Sequence, residues 1–143
     1  MIFPNPKIQQ EYIQTKVKEW IDILKLNDYK SIIEFKSNMD ELASTNTSLI
    51  KKHVACFTIV FLKDYYEAWS EGEQDRFYNW KEFLEEIVIH ELLHIKIAKL
   101  LAAYERYIPD HILESTPELL ENIEEEFFVD SISRILQELR KKK

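Results

Sequence analysis

The chain has 143 residues, 45% hydrophobic and 31% charged, which suits one domain with a substantial core and is too short for two ordinary ones. Its single glycine, Gly72, excludes collagen-like and glycine-rich phosphate-binding architectures, and its single cysteine, Cys56, excludes an internal disulfide framework. A net charge of −7 disfavours nucleic acid as a main partner, since phosphate binding needs a basic face; the basic tail Arg140, Lys141, Lys142 and Lys143 reads instead as a helix end that complements its own dipole. The N-terminus carries no signal-peptide pattern, and the longest apolar stretches are broken by His90, Glu91, His94, Lys96 and Lys99, so no membrane span is expected. The expectation is a single cytoplasmic domain over residues 1–143.

From Pro6 to about Leu26, residues Ile8, Tyr12, Ile13, Val17, Trp20, Ile21 and Leu24 recur at helical spacing, with Pro6 suited to the first helical position. The β-branched run at 31–35 predicts a short strand, and the polar stretch 37–48 a loop or short helix. Residues 53–63 predict the strongest strand, apolar on both faces except for Thr58 and therefore expected to be covered on both sides. Within it Cys56 reads as a small buried hydrophobe, and His53 as a surface residue at the strand start. Residues 64–78 read as a long loop, with a short edge strand possible at 65–69. Its aromatics Tyr65, Tyr66, Trp69, Phe77 and Tyr78, with Trp80, fit either a binding surface or an apolar layer over the sheet. Asn79 is suited to cap a helix running to about Tyr104. That helix is apolar nearly all round, as a buried central helix would be. After a connection containing Pro109, the run Ser115-Thr116-Pro117-Glu118 signals the start of a last helix reaching about Arg140.

The central helix carries His90-Glu91-Leu92-Leu93-His94. Histidines at i and i+4 stand one turn apart on one face, so both imidazoles can point at one metal ion. Glu91 is rotated by about 100° from His90, so it flanks the metal without ligating it and can take a proton from an attacking water. A catalytic zinc needs one more protein ligand and an open position. HExxH alone recurs by chance. Its weight here comes from an apolar helix, where burying two imidazoles is costly without a ligand, and from the carboxylates of the last helix.

That helix offers the missing ligand. Glu126 and Asp130 share a face with Leu119, Ile123 and Phe127, whereas Glu124 and Glu125 fall to either side and read as a solvated acidic face. Carboxylates on an inward face call for a metal or a positive charge. At i and i+4, Glu126 can ligate while Asp130 braces another ligand from behind; the competing role for Asp130 is an ion pair with Arg134.

His90-Glu91-Leu92-Leu93-His94 followed by Glu126-Phe127-Phe128-Val129-Asp130 resembles the gluzincin pattern of thermolysin-like zinc metallopeptidases, HExxH with a downstream ExxxD. At this size the chain is most similar to the minimal zincins, or minigluzincins, and to small phage-type metallopeptidases. The resemblance implies an α+β zincin-like domain: a small mixed β-sheet, a buried HExxH helix and a C-terminal glutamate-bearing helix. It also implies Zn2+ held by His90, His94 and Glu126, Glu91 as general base, and Asp130 on the outward nitrogen of His90. The interval of 32 positions from His94 to Glu126 is longer than in thermolysin-like enzymes. Tyr104, Tyr107 and His111 are candidates for donating a hydrogen bond in the transition state, each with an ordinary packing role as its alternative.

The expected activity is hydrolysis of a peptide or protein substrate, with no nucleic acid and no membrane as partner. A peptide would lie extended along an edge strand by main-chain pairing. Two rivals stand beside it. One is a zincin-like scaffold that binds a protein partner without cleaving it. The other is a latent enzyme whose 64–78 loop or C-terminal tail fills the cleft.

Overall fold

A computed structural model describes residues 3–72, 77 and 79–105 (the backbone alone at 104 and 105), together with Val129, Ile132, Ser133, Ile135, Leu136, Gln137, Leu139 and Arg140. Among the described residues seven elements occur in the order α1 (Pro6–Ile23), β1 (Lys30–Lys36), β2 (Ala43–Asn46), α2 (Ser48–Lys51), β3 (Cys56–Leu62), α3 (Tyr66–Ser70) and α4 (Trp80–Glu105). The eight C-terminal residues that are described are helical as well. The class is α+β, with a mixed three-stranded sheet in the order β1-β3-β2. β1 runs parallel to β3, in register from Lys30 opposite Cys56 to Lys36 opposite Leu62. β2 runs antiparallel to β3, from Ala43 opposite Phe61 to Asn46 opposite Thr58.

Local chemistry sets the helix ends. The Asn5 side chain accepts from the Ile8 amide at 3.0 Å, and Pro6 fills the first helical position, where its missing N–H costs nothing. α1 closes with Lys25 at φ 60°, the Lys25 amide donating to Asp22 and the Leu26 amide to Ile21, a Schellman closure made without glycine. His53, at φ 64°, closes α2 in the same way, with the Val54 amide on the Leu49 carbonyl. His53 therefore ends a helix rather than opening a strand, and β3 begins only at Cys56.

α4 is capped by Asn79, whose Oδ1 accepts from the Glu82 amide at 3.0 Å. Replacing Asn79 by Ala should cost about 1 kcal/mol. It should appear as a lower urea midpoint with an unchanged slope, because the folded surface does not change.

The core is one cluster. Ile13, Val17 and Trp20 of α1 meet Phe57, Ile59 and Phe61 of β3 and the buried residues of α4 from Phe83 to Ala102. Burial of β3 alternates, full on the Phe57-Ile59-Phe61 face and partial on the other. The expectation of two covered faces thus holds for one face only, and Cys56 is half-buried. Two further expectations are corrected. Part of the 37–48 stretch is the strand β2, and 66–70 is the helix α3 rather than an edge strand. Of the aromatics there, Tyr65, Trp69 and Phe77 pack around Phe83 at ring separations of 6.0, 5.6 and 5.6 Å, forming an apolar layer, while Tyr66 is exposed. Tyr78 lies outside the described residues. No helix among the described residues is long and apolar enough to cross a membrane.

Candidate metal centre

α4 is 26 residues long and carries the HExxH motif at its middle. Its N-terminal half is fixed on α1, where the Trp20 indole donates to Glu85 at 3.0 Å and the Tyr12 hydroxyl to the Lys81 carbonyl at 3.2 Å. Its C-terminal half is tied down by Lys99, which donates to the Lys25 carbonyl at 2.8 Å and to Asp28 at 2.9 Å. With both ends held, the histidines in between have little freedom to shift.

His90 and His94 are half-buried, and their rings stand 5.0 Å apart at 66°. Their Nε2 atoms converge to 3.3 Å. Two nitrogens each about 2.05 Å from one tetrahedral zinc are themselves about 3.3–3.4 Å apart. The donor pair therefore has the spacing a shared zinc requires, and both rings present the same nitrogen.

Glu91 is buried, at 7% exposure, and its Oε2 accepts from the Thr45 hydroxyl of β2. Thr45 lies in the 37–48 stretch, for which the sequence predicts a loop or short helix, and it is not among the site residues the sequence points to. The alternation in Ala43-Ser44-Thr45-Asn46 is one of burial and not of polarity, since Ser44, Thr45 and Asn46 are all polar, so the sequence carries no periodic signal for this strand. Tyr65 steadies the approach to that strand. Its hydroxyl donates to the Leu42 carbonyl at 2.5 Å and accepts from the Leu62 amide at 3.0 Å. Burial pushes the Tyr65 phenol well above its ordinary pKa, the Leu62 amide opposes this, and the Glu91 charge adds to the rise. Tyr65 thus stays protonated, as its donor role requires.

The described part of the C-terminal segment lies against the same helix. The Ser133 hydroxyl donates to Glu86 Oε1 at 2.9 Å, and the Gln137 amide donates to the Glu82 carbonyl at 3.0 Å. Arg140 pairs with Glu19 and lies 5.5 Å from the Trp20 ring centre. A step of four residues forward in this segment matches a step of four backward on α4, so the two run antiparallel. Val129 is fully buried.

The structure thus brings together His90, Glu91 and His94. Among the described residues no group of three or more His, Cys, Asp or Glu could hold a metal. Glu126, Asp130, Tyr107 and His111 lie outside the described residues, as does the side chain of Tyr104. No family model matches the chain, and neither a curated protein nor a solved structure does.

Proposed function

We propose that this protein is a zinc metallopeptidase of the gluzincin type, with a minimal zincin-like fold. The observation that carries the reading is the convergence of His90 Nε2 and His94 Nε2 at 3.3 Å beside a buried carboxylate, Glu91, that faces an outer strand of the sheet. A zinc ion held there supplies Lewis acidity, making water acidic near neutral pH and polarising a carbonyl.

The chain does the rest. His90 and His94 contribute two neutral imidazole ligands, and Glu126 the third. Glu91 takes the proton of the attacking water and passes it to the leaving amine. Asp130 accepts from the second nitrogen of His90 and fixes its tautomer. The antiparallel register supports these roles. Contacts from Gln137 to Glu82 and from Ser133 to Glu86 run along α4 in the direction of the histidine pair, and Val129, further along the same segment, is buried. In sequence Asp130 adjoins Val129, and Glu126 precedes Val129 by three positions.

The substrate is an extended cytoplasmic peptide or protein segment that adds through main-chain hydrogen bonds to the edge of β2 that has no strand partner among the described residues. Tyr104, Tyr107 and His111 are the candidates for donating to the carbonyl under attack.

Elemental analysis of purified protein should find close to one zinc per chain. A quenched-peptide mixture should be cleaved, cleavage should stop with a chelator, and added zinc should restore it. Absence of zinc even after metal is supplied would leave the motif as a packed helix segment and favour a partner-binding scaffold.

A further inference from the structure

We infer that Thr45 is a positioning residue for the general base, coupling the strand that would receive a peptide to the carboxylate that would act on it. The inference rests on the peptidase reading above and deepens it at the same site.

Among the described residues β2 stands at the outside of the sheet, bonded to β3 on one side only. Its side chains alternate: Ala43 is buried and Thr45 half-buried, while Ser44 and Asn46 are exposed. The inward face is therefore Ala43 and Thr45, and it is Thr45 Oγ1 that donates to Glu91 Oε2. A buried carboxylate has several rotamers, and only those aimed at the attacking water are productive. A hydroxyl fixed to one oxygen selects among them at little entropic cost, because the β-branched threonine has few rotamers of its own. Positioning of this kind converts into rate without new contacts to substrate.

The strand itself is anchored from both directions. Tyr65 holds the Leu42 carbonyl just before it. At its last residue, Asn46 Oδ1 accepts from the Ser48 amide at 2.9 Å and from the Ser48 hydroxyl at 2.7 Å. Thr45 thus sits at the centre of a short segment pinned at both ends. The same four residues fix the height of an added peptide backbone and the direction of Glu91, so the base is registered to the strand rather than to α4 alone.

The test joins methyl NMR to kinetics. In protein labelled at threonine methyls, the Thr45 signal is identified by its loss in Thr45→Ser. It should shift in Glu91→Ala and stay in place in Glu85→Gln, which lies on the same helix but is bonded to Trp20. In the zinc-loaded full chain, Thr45→Val should lower kcat about tenfold, the range for residues that orient a group in a metal site, with KM, zinc content and melting temperature nearly unchanged. Thr45→Ser should retain most of kcat, because it keeps the hydroxyl. A Thr45 signal that ignores Glu91→Ala overturns the contact whatever the activity. A shifted signal with wild-type kcat in Thr45→Val overturns the positioning role. A shifted signal in a protein that binds zinc but cleaves no peptide overturns the peptidase reading and this role with it, leaving a structural hydrogen bond.

Discussion

Glu91→Gln is expected to lower kcat by about a thousandfold, within the range for loss of a general base, while zinc content stays near that of wild type. The substitution preserves the shape of the side chain and one oxygen able to accept from Thr45. What it removes is the capacity to bind a proton at neutral pH. Glu91 stands on α4 between the two histidines in sequence but is turned away from them, toward β2. Its loss should therefore leave the His90–His94 pair in place. The buried site, at 7% exposure, must then accommodate an amide that brings two donors, so some loss of stability is expected too. Kinetics alone would confuse the two effects. The measurement that separates them is kcat at a temperature well below the melting transition, with zinc per chain determined on the same sample. A zinc-loaded, folded Glu91→Gln protein that cleaves as fast as wild type would rule out the mechanism.

Glu126→Ala should weaken zinc binding by more than the ten- to hundredfold typical of losing a residue that merely supports a ligand, so that purified protein carries little metal. Asp130→Asn should fall inside that range, since under the proposed ligand set it removes no ligand and alters only the proposed partner of His90. Glu124→Ala and Glu125→Ala, two residues and one residue away, should keep their zinc, because the helical spacing expected from the sequence sets them off the face assigned to Glu126. Competition with a chromophoric chelator gives the ordering directly. Equal zinc affinity in Glu126→Ala and Glu125→Ala would remove Glu126 from the ligand set and with it the gluzincin assignment.

The contrast between features legible in the sequence and features hidden from it tracks the range of the interactions involved. The helices α1 and α4 were legible because their signals are local. Asn5 with Pro6 and Asn79 are caps whose side chains reach amides three residues on, and helical periodicity lies within a single segment. The pairing of His90 with His94 was legible for the same reason: a spacing of four on a helix fixes their proximity before any tertiary contact forms. The core strand β3 was legible as a strand, yet its one-sided burial was not, since composition records that residues are apolar and not what covers them.

β2 is the clearest case of the opposite kind. Ala43-Ser44-Thr45-Asn46 has little strand propensity and becomes a strand by pairing with β3. Segment 66–70, rich in aromatics that favour strands elsewhere, is instead a short helix whose Trp69 packs on Phe83. Propensity yields to packing in such short elements.

By itself, then, the sequence determined the α+β class, the long buried helix, its caps and the convergent histidine pair. Only the tertiary structure decided which strand faces Glu91, that Thr45 is its partner, and that the C-terminal segment runs antiparallel along α4. Local features are carried by side-chain identity at fixed short spacing. Strand pairing is made by backbone groups that nearly every residue shares, and its partners are chosen by the shape of a core that no single segment encodes.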